Sequence, residues 1–470
     1  MRKITAIHWF RNDLRLSDNP SLNQAIAQGR VLPIYILDDN NAGEFAMGGA
    51  SRWWLHYALQ SLDKDLGGNL SLYRGQPLTI LQSLIERFNV TAVFWNRTYE
   101  PWQIKRDTHI KQVLKANNIA VESHNATLLW EPWTVKKKDG TPYKVFTPYY
   151  RKGCLYSSPP HQPLSMPGNV DWLKDDNALT LPALRLLPHI RWDEKFKAHW
   201  TISEDGAHDC LEIFIKAHLS DYKDGRNYPA QGHTSRLSPY LHFGQISPQQ
   251  IWHTVKAIAD NAQVDTFCSE LAWREFSYYL LYHHPNLPRE NLQPKFNRFT
   301  WLDDNAKLTA WQRGQTGIPL VDAGMRELWQ TGSMHNRVRM VVGSFLVKNL
   351  RLHWHHGERW FWDCLVDADL ASNSASWQWI AGCGADAVPY FRIFNPVTQG
   401  EKFDPNGDYI RRYIPEIAGL PNKYLFAPWT APDNVLQNAG IDLGKTYAKP
   451  IVDLKLSRQQ ALEAFKQLSK

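Results

Sequence analysis

The first third of the chain alternates short apolar runs with segments of helical period. Ile4–Phe10 (ITAIHWF) and 31–37 (VLPIYIL) are continuous apolar runs of strand length. Such runs predict strands buried on both faces. Stretches 70–73, 91–95 and 120–123 complete a set of five predicted strands. Pro20 opens a helix that Gly29 closes, following the preference for Pro inside the start and Gly past the end. In 51–66, Trp54, Leu55, Ala58, Leu59 and Leu62 fall on one helical face, and 77–88 and 101–117 predict two more helices. Strand–helix alternation implies right-handed crossovers and a doubly wound parallel sheet. Ligands on such sheets sit beyond the carboxyl ends of the strands, where Arg11-Asn12-Asp13 and Asn96-Arg97 fall.

From about 130 to 200 the periodicity fades. Pro132, Pro142, Pro148, Pro159, Pro160, Pro163, Pro167, Pro182 and Pro188 punctuate a long surface connection. Beyond about 205 the signal is nearly all helical, clearest over 246–258, 266–282, Pro319–Thr331, 334–350 and 360–367. Residues 455–468 predict a short amphipathic terminal helix. The expected organisation is an α/β domain over 1–128, a linker over 129–204 and an all-α domain over 205–470.

Composition adds little until tryptophan. Hydrophobic and charged contents of 43% and 21% are ordinary for a globular protein. The 21 Trp are not. Most fill the core of a large aromatic protein, leaving a minority to stack on flat ligands or carry electrons. A net charge of +7 and a pI near 8.9 permit nucleic-acid binding without requiring it. Cys154, Cys210, Cys268, Cys364 and Cys383 are scattered without a CxxC pair, which suits a reducing compartment. There is no apolar run near 18 residues and no apolar leader after Met1, so a cytoplasmic protein is expected. The chain lacks a GxxxxGK[ST] loop and a GxGxxG after the first strand. His283-His284 and His353, His355 and His356 cluster without completing a metal pattern, so no metal is expected.

Two helical segments have faces too mixed for a plain core. Glu270, Trp273, Arg274 and Ser277 share one side of a helix, as do Asn336, Arg339, Met340 and Gly343. The apolar residues around Arg337 and Arg339 predict a buried helix, and a buried Arg needs a carboxylate or a bound anion. Asp367 and Asp369 stand beside Asn373 among small and amide residues, which fits packing on a large flat ligand or a paired-carboxylate hydrolase site. Thr234, Ser235, Arg236, Leu237 and Ser238 offer hydroxyls and one Arg in a tight run. That run suits a pyrophosphate or an ordinary helix cap.

Together these segments carry a resemblance. TSRLSPYLHFGQISP, ELAWREF, GIPLVDAGMRELWQTGSMHNRVRM, HGERWFWDCLVDADLASNSASWQW and PYFRIFNPVTQGEKFDPNGDYIRR resemble the flavin-domain signatures of the photolyase/cryptochrome family. HWFRNDLRLSDNPSL resembles the family's opening strand and loop. GGASRWWLHYAL, SHNATLLWEPW and TPYKVFTPYYR look most like bacterial class III cyclobutane-dimer photolyases. The resemblance implies an antenna domain followed by a helical domain that binds FAD and DNA. Tyr222, Thr234, Ser235, Arg236, Leu237, Ser238, Arg274, Arg339, Asp367, Asp369 and Asn373 would hold FAD, with Arg339 paired to Asp367 and Asn373 facing the flavin N5. Glu270, Trp273, Asn336, Arg337, Met340, Trp379 and Gln399 would bind DNA carrying a cyclobutane pyrimidine dimer. Trp273 and Trp379 would be apolar walls, Glu270 and Asn336 hydrogen-bond partners, and Arg337 the grip on a flanking phosphate. Trp377, Trp354 and Trp301 would relay electrons to the flavin.

The reaction implied is light-driven electron transfer from reduced FAD (FADH−) that splits the dimer. Asn336 and Met340 stand where (6-4) photolyases place a pair of His, which points to cyclobutane dimers. Ser333 replaces a Trp often found before MHNR. The folate-holding positions of better-known bacterial photolyases fall on Trp102 and Gln103. The expected antenna is 5,10-methenyltetrahydrofolate, with an 8-hydroxy-deazaflavin as the alternative. A monomer is expected. The rival reading is a cryptochrome-type photoreceptor without repair; the short stretch after RRYIPEI and the retained dimer-pocket residues weigh against it.

Overall fold

The computed structural model describes residues 4–166, 168–387 and 391–468. Pro167 of the proline series, and Pro389 and Tyr390 of the PYFRIF motif, lie outside them. Strands β1 (Ile4–Phe10), β2 (Gly29–Leu37), β3 (Ser71–Arg74), β4 (Val90–Asn96) and β5 (Ala120–His124) form one sheet in the order β3-β2-β1-β4-β5. Every neighbouring pair is parallel. The helices Pro20–Gln28, Gly49–Asp65, Pro77–Phe88 and Pro101–Ala116 supply the crossovers. The expected doubly wound sheet is therefore present, with its switch point between β1 and β4.

Both faces of the sheet are covered, which is why the strands read as unbroken apolar runs. Ile7, Trp9, Leu32, Ile34, Val93 and Trp95 pack on one side against Leu81, Leu84, Ile110 and Leu114. Ala6, Val31, Ala92 and Phe94 pack on the other against Ala25.

The polar residues at the carboxyl ends of β1 and β4 are engaged with one another. The buried Arg11 guanidinium pairs with Asp107, donates to the Asn96 carbonyl, and lies 5.1 Å over Trp9. Arg97 pairs with Glu131 at 2.6 Å. Arg15, fully buried, donates only to main-chain carbonyls: Ser17 at 3.0 Å, Asp18 at 2.7 Å, Ala126 at 2.9 Å and Gly244 at 2.8 Å. Gly244 has φ of 69°, and a Cβ there would lie 2.0 Å from the Asn12 carbonyl oxygen, so this approach requires glycine.

The chain packs as two units. One contains 1–220, 235–285 and 366–371; the other contains 221–234, 286–365 and 372–470. In the first, the proline-rich stretch runs back along the sheet edge, where Leu173 N donates to Val31 O at 2.8 Å and Leu179 N to Leu72 O at 2.9 Å. It also forms helical turns over Phe146–Pro148, Tyr149–Gly153 and Cys154–Tyr156, which prolines on either side hid from periodicity.

In the second unit the single helix predicted over 334–350 divides. Asn336–Ser344 is α-helical and Phe345–Asn349 is a π-helical turn. Val338, Val341 and Val342 are buried, but Arg337 and Arg339 are only half-buried. The buried cation of this segment is Lys348 instead, 2% exposed. Its ammonium, pushed down to about 7 by burial, donates to the Arg392 carbonyl at 2.6 Å. The expectation of a buried Arg thus misplaced the charge: apolar neighbours bury the segment without deciding which cation goes inside, and here it is Lys348, in the π-helical turn.

No helix among the described residues is long and apolar enough to cross a membrane, and no group of three His, Cys, Asp or Glu among them could hold a metal.

Candidate active site

In the first unit, helix Ala262–His283 carries Glu270, Trp273 and Arg274 at three- and four-residue spacing, so all three share a face. Its start is capped by the Asn261 side chain, which accepts from Gln263 N and Val264 N. The half-buried Trp273 ring stacks on Phe146 at 3.8 Å and 11°, and Phe146 stacks in turn near Tyr150. Phe146 and Tyr150 belong to the TPYKVFTPYYR segment, where no local signal marks them as part of this wall. Arg274 donates to Thr127 O at 2.8 Å and to Glu275 Oε1 at 3.1 Å. Glu275, buried, also accepts from Leu129 N and Trp130 N.

The hydroxyl-rich run turns sharply. Arg236 has φ of 53°, lies 4.2 Å over Trp200 and donates to His199 O. Leu237 is buried, whereas Ser235 is half-buried and Ser238 exposed. The Ser238 hydroxyl donates to Asp367 Oδ2 at 2.6 Å, so the structure joins two segments that the sequence separated by more than a hundred residues. Asp369, buried, accepts from the Tyr278 hydroxyl.

Asp369 also acts on Glu100. Burial pushes the Glu100 carboxyl up to about 7; the Trp102 indole N–H bond opposes this and the Asp369 charge adds to it. Trp102 is in turn covered by Arg106 at 5.0 Å, and Gln103 is half-buried beside it. A carboxyl raised on folding contributes stability that is full below its unfolded value of 4.5 and lost as pH rises through about 7. Wild-type protein should therefore lose stability relative to Glu100→Gln between those pH values in chemical denaturation. Parallel pH profiles for the two proteins would remove Glu100 from the account.

In the second unit, His335 caps helix Asn336–Ser344 by accepting from Arg337 N at 3.2 Å. Asn336 is exposed at the helix start, and Met340 lies half-buried one turn on. Arg339 Nε donates to Met334 O at 2.7 Å. Arg337 lies 4.4 Å over Phe403 and donates to Asn227 Oδ1, while its Nε is buried without a partner. Burial first, then the like charges of Arg226 and Arg392, lower its pKa. Those two cations were not found from sequence, because only folding brings them to Arg337. Arg226 also covers the buried Tyr222 ring at 5.3 Å. Thr234 and Trp379 are half-buried, and Gln399 has a buried Oε1 without a partner.

Asn373 is held by its Nδ2 donating to Glu358 O at 2.9 Å, and Ser374 donates to the Glu358 carboxylate at 2.5 Å. Trp377 lies edge-on to Phe361 at 5.0 Å and to Trp311 at 6.3 Å. Trp354, fully buried, donates to Asn291 Oδ1 at 3.0 Å, and both it and Trp301 border the His353 ring. Trp311, unassigned from sequence, is also fully buried, and its indole N–H donates to Val342 O.

Residues 6–167 match the family described as DNA photolyase, and residues 267–467 match the FAD binding domain of DNA photolyase. The chain is 46% identical to a deoxyribodipyrimidine photo-lyase of Agrobacterium fabrum, over 100% of this chain and 99% of that protein. It is 37% identical to Cryptochrome-1 of Arabidopsis thaliana, over 98% of this chain and 70% of that protein. Among solved structures, a bacterial class III photolyase from Agrobacterium tumefaciens superposes with a TM-score of 0.95 at 45% identity, covering 100% of this chain and 98% of the other.

Proposed function

Because the chain belongs to the DNA photolyase/cryptochrome family, we propose that it is a deoxyribodipyrimidine photo-lyase, which uses light to split cyclobutane pyrimidine dimers in DNA. The observation that carries this reading is the 46% identity to a photo-lyase along the full length of both chains. The 37% identity to a plant cryptochrome keeps a light-sensing reading in second place. Illumination of the reduced protein with dimer-containing oligonucleotide decides between them. Restored thymines are expected in the light alone; their absence would overturn the repair reading and favour the photoreceptor.

The residues present fit FAD. The hydroxyls of Thr234 and Ser235 with the Arg236 guanidinium are a donor set for a pyrophosphate, beside Ser238, whose hydroxyl proton goes to Asp367. With its Nδ2 committed to Glu358 O, Asn373 has its Oδ1 left to accept from a ring N–H such as that at flavin N5. Tyr222, Leu237, Arg274, Arg339, Asp367 and Asp369 complete the assignment. Reduced FAD, when bound, supplies the photoexcitable electron donor.

The chain's own side chains orient and shield. Trp273, backed by Phe146, and Trp379 offer flat apolar walls for a lesion that unstacks more readily than a normal pair. Glu270, Asn336 and Gln399 offer hydrogen bonds to its carbonyl and imide edges, and the unpartnered Gln399 Oε1 suits such a donor. Arg337 holds a flanking phosphate. Trp377, Trp354 and Trp301 are assigned to electron relay.

The division into an antenna domain over 1–128, a linker over 129–204 and a catalytic domain over 205–470 belongs to the same proposal, as do a monomeric state and a cytoplasmic location. Methenyltetrahydrofolate is the first choice of antenna and an 8-hydroxy-deazaflavin the second; the absorption spectrum of the purified protein separates them.

A further inference from the structure

We propose that His353 is a positioning residue for photoreduction of the flavin: with one neutral ring it caps the helix that begins at Trp354 and holds the Trp354 and Trp301 indoles in place for electron transfer between them. The inference rests on the relay of Trp377, Trp354 and Trp301 assigned in the reading above, and adds to it a residue that the reading does not use.

His353 is the N-cap of helix Trp354–Cys364, with φ of −61° and ψ of 140°. Its Nδ1 accepts from His355 N at 3.2 Å. A backbone N–H can only donate, so Nδ1 carries no proton and the ring is neutral, protonated at Nε2. The surroundings keep it neutral. Burial first, then the charges of His355, His356 and Arg359, push its pKa down to about 4. The positive end of the helix dipole disfavours a cation at the same place.

This capping ring borders both relay indoles. Trp354 lies nearly parallel to it at 5.6 Å and 27°, and Trp301 meets it edge-on at 5.0 Å and 65°. Each indole has a second anchor of its own. Trp354 donates to Asn291 Oδ1 at 3.0 Å. Trp301 packs on Phe299 at 4.5 Å, and Leu302 N donates to Arg351 O at 2.8 Å, which ties the Trp301 segment to the residues just before His353.

The residue type fits this double duty. Asn, Asp and Ser are the strong caps, and none of them has a ring. Phe has a ring and no acceptor. A neutral His supplies both, and it places no cation beside indoles that become positive as an electron passes. Each passage moves one electron from Trp301 through Trp354 and Trp377 to the photoexcited flavin, and a thiol such as dithiothreitol is oxidised to refill Trp301. Transfer between rings falls steeply with their separation, so a side chain that fixes the spacing sets the rate without touching the flavin.

The test compares His353→Asn, which keeps a cap acceptor and removes the ring, with His353→Phe, which keeps a ring and removes the acceptor. Flash photolysis of the FAD-loaded proteins with dithiothreitol reads the yield of long-lived indole radical. Both variants should lose that yield severalfold while transfer from Trp377 keeps its rate. His353→Asn should melt at the wild-type temperature and His353→Phe below it. A purely structural role would make the yield follow the melting temperature and spare His353→Asn, so a wild-type yield in that variant overturns the proposal. If His353→Phe does not fold, His353→Asn still decides. A second readout needs neither flavin nor light. Nitrogen NMR of histidine-labelled protein near neutral pH should show an unprotonated Nδ1 at the resonance missing from His353→Asn; a doubly protonated ring there overturns the proposal as well. Trp301→Phe separates the two levels of inference. Wild-type photoreduction in Trp301→Phe refutes the relay and this inference with it; slow photoreduction in Trp301→Phe with a wild-type yield in His353→Asn refutes this inference alone.

Discussion

Trp273→Ala should weaken binding of dimer-containing DNA by about 10- to 100-fold and leave the flavin absorbance in place. Stacking of a base on an aromatic side chain is worth about 1–3 kcal/mol by alanine substitution, and about 1.4 kcal/mol is tenfold in affinity. The ring is a good wall because it does not stand alone. Phe146 lies parallel to it at 3.8 Å, and Phe276 meets it edge-on at 5.9 Å. That packing restricts the indole before any ligand arrives, so little rotamer entropy is lost on binding. Phe146→Ala should accordingly show a smaller loss in the same direction, since it frees the ring without removing it. Titration with fluorescent oligonucleotide measures both. A Trp273→Ala protein within twofold of wild type would take Trp273 out of the lesion wall.

Gly357→Ala should cost about 1–3 kcal/mol of stability through overpacking and slow photoreduction of the flavin. Gly357 lies inside helix Trp354–Cys364, where a methyl group would meet the Trp377 ring at 2.1 Å. Neither side can yield cheaply. The added carbon is fixed to helical backbone, and the indole is confined by Phe361 and Trp311. Gly343 is the matched control, because a Cβ there would approach Trp377 no closer than 3.5 Å. Gly343→Ala should be milder by denaturant titration and by the rate of flavin bleaching under blue light. Equal behaviour of the two variants would mean that Trp377 tolerates displacement and has no need of its slot.

How far sequence reached depended on the range of the interactions. Strand β1 and the helices Pro77–Phe88 and Pro319–Thr331 were legible to the residue, because proline starts and apolar periodicity are local signals. The helical turns over 146–156 were not, because closely spaced prolines usually mean an irregular chain. For the site, helix spacing alone united Glu270 with Trp273 and Arg274, and Asn336 with Met340. Contacts across the chain stayed out of reach. Nothing near Ser238 announces Asp367, and nothing near Trp273 announces Phe146. Apolar neighbours do imply a buried helix, but they do not say which cation goes inside, and a π-helical turn gave that place to Lys348. Arg226 and Arg392 were invisible for the same reason: each is an isolated Arg until folding sets it near Arg337.

The Arg15 hydrogen bonds also set a timetable for synthesis. Two of its carbonyl partners lie 111 and 229 residues further along the chain. At a ribosomal rate of about 5–20 residues per second, Gly244 follows Arg15 after roughly 10–50 s. Until then the guanidinium has its local acceptors at Ser17 and Asp18 but lacks the Gly244 carbonyl, so closing the first strands over it would leave an N–H group without a partner. A chain released after residue 128 should behave as an aggregation-prone fragment rather than as a freestanding domain.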